Sequence, residues 1–287
     1  MTGERPMSVF RRLAAIDRRV IFITIALSVM IPLKFPLHLP VRVGQSAQDA
    51  YDAIEALPAG SLVLISFEYG PSTAPEIHPM AIALLRQCFR KNLKVIAMAL
   101  WPEGLFMANA ALEQVADHEF HKTYGVDYVN LGFKAGNEVV IRSIGESFPT
   151  TYPVDSRGRP TADLPLMRGV QNLANVDFIF SASAGYPGTV EWVQYAADPY
   201  HKPMSTGTTA VQVNEVMPYV RARQLSGIIG GMSGAAEYEK LIGRPDRATR
   251  FMDAQSIAHL VMVLFIVIGN VTFWLGRRAE RRARGEA

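Results

Sequence analysis

Cysteine is almost missing from this chain of 287 residues, because Cys88 is its only representative. A single thiol excludes an internal disulfide, and with it the class of small secreted domains that disulfides hold together. Cys88 lies in the stretch Leu84-Leu85-Arg86-Gln87-Cys88-Phe89, whose apolar spacing is that of a helix. This setting favours a buried, inert thiol over a reactive one.

Motifs for metals and nucleotides are missing as well. The glycines after the candidate strands form neither Gly-x-Gly-x-x-Gly nor a phosphate-binding loop with its lysine. Asp117, His118 and His121 lie close together, but the string His-Glu-Phe-His is not the His-Glu-x-x-His helix of zinc enzymes. A solvated polar helix face is the favoured interpretation, and we expect no metal and no cofactor.

Long apolar runs are confined to the two ends, at Val20–Leu33 and Ile257–Leu275, within a chain of mean hydropathy +0.12. Residues 1–33 and the segment from 257 to the C-terminus together hold 10 of the 29 basic residues but only 4 of the 26 acidic ones. The rest of the chain therefore has 19 basic and 22 acidic residues. The pI near 9.0 therefore belongs to the tails. We expect no nucleic-acid partner, because the chain between the tails is mildly acidic.

The C-terminal run predicts a transmembrane helix over residues 257–275. It is uncharged, long enough to cross ~30 Å of hydrocarbon, and has Trp274 at its end, followed by an arginine cluster. The N-terminal run is shorter and predicts a transmembrane helix over residues 20–38. Its alternative is a cleaved signal peptide with a poor site at Gly44-Gln45-Ser46-Ala47, although Pro32, Pro36 and Pro40 disfavour cleavage.

Arginines predict the orientation of both ends. Five lie in residues 1–33 and five follow the last apolar run, so the basic tails 1–19 and 276–287 are expected in the cytoplasm. Residues 39–256 then form an extracytoplasmic domain, at the plasma membrane or, in a bacterium, the inner membrane. The expected partners are the lipid bilayer and other membrane proteins or further copies of the chain.

Short apolar runs alternate with helical stretches between the two spans, which predicts an α/β fold with a mostly parallel, doubly wound, Rossmann-like sheet. Five strands are expected, near residues 62–67, 94–99, 127–131, 177–181 and 203–207, and helices are expected over 165–174 and 224–242, among others. A Gly-, Pro- and Ser-rich insertion at 132–164 has the composition of a lid, a partner-binding arm or a plain loop.

Polar and aromatic residues follow the predicted strands, where ligands of open α/β sheets usually bind. Hydroxyls, rings, carboxylates and helix N-termini together suit a small polar or anionic ligand, although the hydroxyls also suit helix capping. The candidate ligand-binding residues are Glu68, Tyr69, Ser72, Thr73, Glu76, His78, Trp101, Glu103, Ser183, Tyr186, Thr189, Thr206, Thr208 and Thr209.

A hydrolase is the alternative function, with Ser181 or Ser183 as nucleophile and His78 or His201 as base, but Ser183 lacks the Gly-x-Ser-x-Gly elbow. No catalytic residue is assigned.

A second candidate feature is a glycine stripe. If residues 224–242 are helical, Gly227, Gly231 and Ala235 form a smooth stripe at which another element can approach closely. The stripe is predicted to pack on the domain's own sheet, with an intermolecular contact and a phosphate-binding loop as alternatives. The sequence thus favours a membrane-tethered ligand- or partner-binding domain inside a membrane assembly.

Overall fold

The computed structural model describes residues 17–37 and 39–283. The chain divides into two compact units, which are Pro40–Thr249 and the described parts of Met1–Leu39 with Arg250–Ala287. The predicted basic tails reach beyond the described residues, since 1–16 and 284–287 lie outside them. The cytoplasmic placement of the tails therefore stays a prediction.

The larger unit contains one sheet of six parallel strands in the order β3-β2-β1-β4-β5-β6. The strands are Leu62–Glu68 (β1), Lys94–Ala99 (β2), Tyr128–Phe133 (β3), Phe178–Ser183 (β4), Met204–Thr208 (β5) and Ile228–Gly230 (β6). Nearly every residue of these strands is buried, as expected for a sheet covered on both faces. The predicted α/β class is confirmed, with six strands instead of five, all of them parallel.

Helices cover both faces of this sheet. The first face carries Leu64, Ile179 and Met204 and packs against α5, α6, α7 and α9, whereas α3 and α4 approach the second face at Gly207 and Ala99. The helices are Arg18–Lys34 (α1), Gln45–Glu55 (α2), Ala74–Arg90 (α3), Pro102–Leu112 (α4), Glu138–Glu146 (α5), Phe148–Thr151 (α6), Thr189–Trp192 (α7), Asp198–Tyr200 (α8), Val213–Arg221 (α9), Gly231–Leu241 (α10) and Arg247–Ala283 (α11). Two π-helical turns, Glu113–Glu119 and Val193–Ala197, extend α4 and join α7 to α8.

The prediction of one helix over residues 224–242 is wrong. Ile228–Gly230 forms β6 at the edge of the sheet, and α10 begins only at Gly231. Gly227, Gly231 and Ala235 therefore share no helical stripe. Gly227 instead allows close approach to α2, because a Cβ there would lie 2.3 Å from Ser46 O and 2.4 Å from Ala50 N. The β-branched pair Ile228-Ile229 outweighs the helical spacing of the small residues.

The helix predicted over residues 165–174 is also wrong. This segment forms two short 3-10 turns, Pro165–Met167 and Leu173–Asn175, with Gly169 between them at a φ of +85°. A left-handed residue interrupts a right-handed helix, and glycine adopts that conformation without strain.

The insertion at 132–164 is largely structured. Its first half contains α5 and α6, whose apolar side chains complete the core of the first face. Its second half folds back along the outer edge of the sheet, where Ser156 N donates to Asn130 O at 2.9 Å. Backbone pairing of this kind covers the otherwise open edge of β3.

The smaller unit contains α1 and most of α11. Among the described residues, one helix is long and apolar enough to cross a membrane, Arg247–Arg278 within α11. Helix α1 has 17 residues with exposed apolar side chains such as Phe22 and Met30, but it is short for a span of ~20 residues. The predicted second span therefore stays a prediction.

Two buried carboxylates hold the segments next to the start of α11. Glu239 in α10 accepts hydrogen bonds from Asp246 N, Ala248 N, Thr249 N and Thr249 Oγ1 at 2.6–2.9 Å. These donors lie at or just before the first turn of α11, so Glu239 satisfies groups that a helix leaves unpaired. In the smaller unit, Asp253 accepts from Leu37 N at 2.9 Å and Leu39 N at 3.0 Å.

Candidate functional site

Three adjacent strands, β1, β4 and β5, each end in two polar residues spaced two apart. Side chains alternate along a strand, so each pair faces one side of the sheet, the same side as Leu64, Ile179 and Met204. The strand register aligns the pairs into two rows, which are Ser66-Ser181-Thr206 and Glu68-Ser183-Thr208. We call these six residues the polar double row. All six are at most 2% exposed, so the apolar core changes into a buried polar layer at the carboxyl ends of the strands.

Hydrogen bonds fix several hydroxyls of this layer. Thr189 Oγ1 at the start of α7 lies 2.6 Å from Thr206 Oγ1, and Thr206 Oγ1 donates to Ser181 O at 2.9 Å. Ser183 Oγ donates to Gly185 O at 3.1 Å. Thr208 Oγ1 donates to Gln212 Oε1 at 3.0 Å. The hydroxyls therefore have defined orientations before any ligand is bound.

Glu68 is the only ionisable member of the polar double row. Its side chain is fully buried and accepts a hydrogen bond from the Ser66 hydroxyl. Burial raises the pKa of Glu68 to about 8, although Ser66, Trp192, the Leu100 backbone and Ser181 act in the opposite direction. At neutral pH the carboxyl is therefore mainly protonated, because a charge without a cation partner is costly to bury.

Buried polar atoms without hydrogen-bond partners surround the same position. Among the described residues, Glu68 Oε2, Ser181 Oγ, Tyr152 OH and Trp192 Nε1 have no partner with good hydrogen-bond geometry, although Trp192 and Ser181 lie close enough to Glu68 to lower its pKa. Tyr152 lies close enough for the Glu68 charge to raise the pKa of its hydroxyl, in addition to the larger effect of burial. Unsatisfied buried groups are rare in folded proteins, and a cluster of them is typical of a site with a polar function.

A cavity of about 270 Å³, here called the rim cavity, opens beside the second row of this layer. Ser183, Thr189 and Thr208 contribute hydroxyls, Gln212 an amide, and Glu191 and Glu215 carboxylates. Tyr186 is 62% exposed at the border, and its hydroxyl donates to Glu138 Oε2 at 2.7 Å. Glu191 Oε2 accepts from Gly188 N at 2.8 Å, which neutralises the start of α7. The remaining lining residues are Gly185, Val190 and Val216.

The structure brings part of the predicted set together at this place. Ser183, Tyr186, Thr189 and Thr208 line the rim cavity, and Glu68 and Thr206 belong to the layer beside it. Trp101 supports the border from behind, since its Nε1 donates to Pro187 O at 3.2 Å.

Seven predicted residues lie elsewhere. Tyr69 OH and His78 Nδ1 are 2.9 Å apart at the second face, and Glu76 Oε2 accepts from Ala210 N at 2.9 Å. Ser72 is exposed, Glu103 contacts the position of Gly70, and Thr209 donates to Gln212 Oε1 without lining the cavity. Thr73 and Thr209 occupy positions before helical turns, but neither forms a side-chain capping bond.

Sequence reasoning missed Ser66, Tyr152, Glu191, Trp192, Gln212 and Glu215. One signal for the polar layer was present in the sequence. The strands β1, β4 and β5 end in Ser-x-Glu, Ser-x-Ser and Thr-x-Thr. Polar residues at a spacing of two near the end of a buried strand indicate a polar patch on one face. The residues just after α6, in α7, and in or just before α9 carry no comparable signal, since their proximity depends on the tertiary fold.

The two candidate bases lie away from Ser183. His201 precedes β5 whereas Ser183 ends β4, so in a parallel sheet they lie at opposite ends, separated by roughly 13 Å along the strand direction. His78 is engaged with Tyr69, and burial, with a smaller effect of the Arg247 charge, lowers its pKa to about 4. Neither histidine lines the rim cavity.

The strand order is that of domains that bind dinucleotides where the order reverses, here between β1 and β4. In this chain Glu68 and Tyr69 are both fully buried at that position. No group of three or more His, Cys, Asp or Glu side chains in the described ranges 17–37 and 39–283 is placed to hold a metal ion.

Fold and site together define a Rossmann-like α/β domain with a polar cavity displaced by one strand, beside β4 and β5. The chain matches no protein-family profile, no curated protein and no solved structure.

Proposed function

We propose that this chain is a membrane-tethered α/β domain that lies outside the cytoplasm and binds a small, hydroxyl-rich ligand in the rim cavity, as a component of a membrane protein assembly. The observation that carries the ligand-binding part is the polar double row, which ends at a cavity lined by oriented hydroxyls. Cavities of about this size with a few fixed polar groups are typical of small-molecule sites.

The lining chemistry indicates the ligand class. No lysine, arginine or histidine is among the lining residues. Glu191 and Glu215, when ionised, accept hydrogen bonds and donate none. This balance disfavours the anionic ligand that the sequence alone allowed. A sugar or polyol donates hydroxyl protons to carboxylates, exchanges hydrogen bonds with threonines and an amide, and places its C–H face on an exposed ring such as Tyr186.

Asp253 supports the two-span arrangement. Its hydrogen bonds to Leu37 N and Leu39 N hold the chain that follows α1 beside the α11 residues just before the apolar run. Two spans that meet at one side of the membrane fit the predicted orientation, with both basic tails on the cytoplasmic side.

The same region supports an uncleaved first segment. The candidate cleavage site at 44–47 lies at the start of α2, where Gly44 N donates to Glu237 Oε2 at 2.9 Å and Ile228 N donates to Ser46 Oγ at 2.9 Å. Cleavage there would remove groups that the domain uses for its own folding. Two spans are too few to enclose a transport pathway through the membrane by themselves. This favours a role for the chain inside a larger assembly.

A matched pair of threonines tests ligand binding. Thr208 and Thr209 both donate to Gln212 Oε1, at 3.0 and 3.1 Å, but only Thr208 lines the rim cavity. Thermal-shift and calorimetric titration of the detergent-solubilised chain with monosaccharides and inositol should reveal a ligand. Thr208→Val should then weaken binding about tenfold or more, as expected when one partner of a buried hydrogen bond is lost, and Thr209→Val should leave it nearly unchanged.

Failure of every sugar and polyol to bind, or equal losses in both variants, would refute the ligand assignment. Inorganic phosphate serves as the anionic control and should not bind.

Cysteine labelling from either side of the membrane tests the topology, with Gly3→Cys expected to react from the cytoplasm and Val139→Cys, 61% exposed, from outside. A strictly monomeric particle without partners in mild detergent would count against the assembly role.

A further inference from the structure

A second cavity, of about 430 Å³, lies at the outer edge of the sheet and shares no lining residue with the rim cavity. We call it the edge cavity. The π-helical turn that extends α4 contributes Glu113 and Asp117, β3 contributes Tyr128, and the second half of the insertion contributes Ser156 and Arg157. π-helical turns inside α-helices frequently occur at functional sites. The insertion therefore contributes to a cavity separate from the rim cavity, through Ser156 and Arg157.

Arg157 carries a guanidinium that has no ion-pair partner among the described residues. Its Cζ lies 3.6 Å from the centroid of the Tyr124 ring, which holds the group by a cation–π contact. Its backbone is fixed as well, since Arg157 N donates to Asp155 Oδ1 at 2.8 Å. Tyr124 OH donates to the other oxygen of the same carboxylate, Asp155 Oδ2, at 2.7 Å. The Arg157 side chain also lies within hydrogen-bond reach of the Tyr128 hydroxyl. The loop therefore presents an oriented cation, and because a guanidinium has several N–H donors, the others remain available to a carboxylate.

The helical side of the edge cavity carries the opposite charge. The Tyr128 hydroxyl donates to Asp117 Oδ1, which fixes that carboxylate, and Glu113 lies one turn earlier in the same helical segment. No carboxylate of this pair lies within ion-pair distance of Arg157. The Tyr128 hydroxyl, which interacts with both Asp117 and Arg157, lies between the two charges, and all three residues line the cavity. The buried Asn130 also lines the cavity, with its Nδ2 donating to Asn109 Oδ1 at 2.8 Å.

This separation of charges selects a ligand class. A simple anion would be attracted by Arg157 but repelled by two carboxylates. A simple cation would be attracted by the carboxylates but repelled by Arg157. A molecule that carries a carboxylate and an ammonium group a few bonds apart satisfies both sides at once. We propose that the edge cavity binds a free α-amino acid, with its carboxylate at Arg157 and its ammonium group at Glu113 and Asp117.

Arg159 provides a matched control for Arg157. It lies in the same loop and its Cζ is 5.2 Å from the same Tyr124 ring, but it does not line the edge cavity. Saturation-transfer NMR and titration of the full chain in detergent with individual L-amino acids should identify at least one that binds. Arg157→Gln and Glu113→Gln should each weaken its binding about tenfold or more, whereas Arg159→Gln should not. Glu113 has no hydrogen bond to another described side chain, so its substitution removes charge without a structural partner.

Two half-ligands complete the experiment. Acetate and methylammonium should each compete with the amino acid only at much higher concentration. The proposal is overturned if no amino acid binds at about 10 mM, a range that would still reveal millimolar affinity. Equal losses in Arg157→Gln and Arg159→Gln, or acetate competing as well as the amino acid itself, would also overturn it. Thr208→Val should leave amino-acid binding intact, so a failure of the edge site and a failure of the rim site are distinguishable.

Discussion

Glu68 makes the stability of the domain depend on pH in an unusual direction. Burial raises its pKa to about 8, from a value near 4.5 in the unfolded chain. Between these two values the unfolded chain releases a proton that the folded chain keeps, so the free energy of unfolding falls as pH rises. The stabilisation that comes from the proton on Glu68 is fully present below about pH 4.5. It is lost as the pH rises through about 8.

The magnitude follows from the shift. Each unit of pKa difference corresponds to about 1.4 kcal/mol, so a shift of this size corresponds to about 5 kcal/mol across the whole window. His78 acts in the opposite direction, because its pKa of about 4 in the folded chain makes it lose stability as pH falls below about 6.5. The wild-type profile is thus a sum of opposing effects, and only the comparison with a variant isolates Glu68.

Glu68→Gln is the variant to compare, since an amide copies the protonated carboxyl without a titratable proton. Denaturant unfolding of the full chain in detergent, followed by tryptophan fluorescence, should show the Gln variant gaining on the wild type by several kcal/mol between pH 5 and 8. Glu103→Gln, an exposed glutamate after β2, should reproduce the wild-type profile. A Glu68→Gln difference that stays flat over this range would refute the buried, protonated carboxyl.

Three further outcomes are expected. Glu239→Ala should lower the free energy of unfolding by about 3 kcal/mol or more, measured by denaturant unfolding, because it leaves buried donors at the start of α11 unpaired, and Glu239→Gln should cost less. Gly227→Ala should lower the melting temperature, because its Cβ would overlap α2, whereas Gly269→Ala, with nothing within 4 Å, should be neutral. Cys88 should resist thiol reagents at pH 8 until the chain is unfolded, since burial raises its pKa to about 12.

The sequence predicted the sheet well where the strands are continuous apolar runs. All five predicted strands match observed ones within two residues, because continuous apolar runs such as Leu62–Phe67 are typical of a sheet covered on both faces. The sixth strand was missed because it has three residues and lies among glycines. Its strand conformation depends on pairing with β5, which no local pattern of residues 228–230 reveals.

The candidate site was predictable only along the strands. Ser183, Thr206 and Thr208 were predicted from their position at strand ends. The two-residue spacing of Ser66 and Glu68 is a further signal of a shared face that the sequence prediction did not use. Trp192 and Tyr152 reach the same place from α7 and from just after α6, segments separated from Glu68 by more than eighty residues of sequence. Their contribution depends on how these segments pack, which a single sequence does not specify.

The position of the rim cavity follows from which side chains occupy the strand ends. In a domain of this strand order, ligands usually bind in the crevice beyond the carboxyl ends of β1 and β4. Here Glu68 and Tyr69, at the end of β1, are both fully buried, and the Tyr69 hydroxyl lies 2.9 Å from His78 Nδ1. The rim cavity lies instead beside the ends of β4 and β5, where the short hydroxyl side chains of Ser183 and Thr208 line it. Glu68 belongs to the same row as Ser183 and Thr208, so its charge lies next to the residues that line the rim cavity. A ligand in the rim cavity that lowers the pKa of Glu68 must therefore bind more tightly as pH rises towards 8, and Glu68→Gln must remove that dependence.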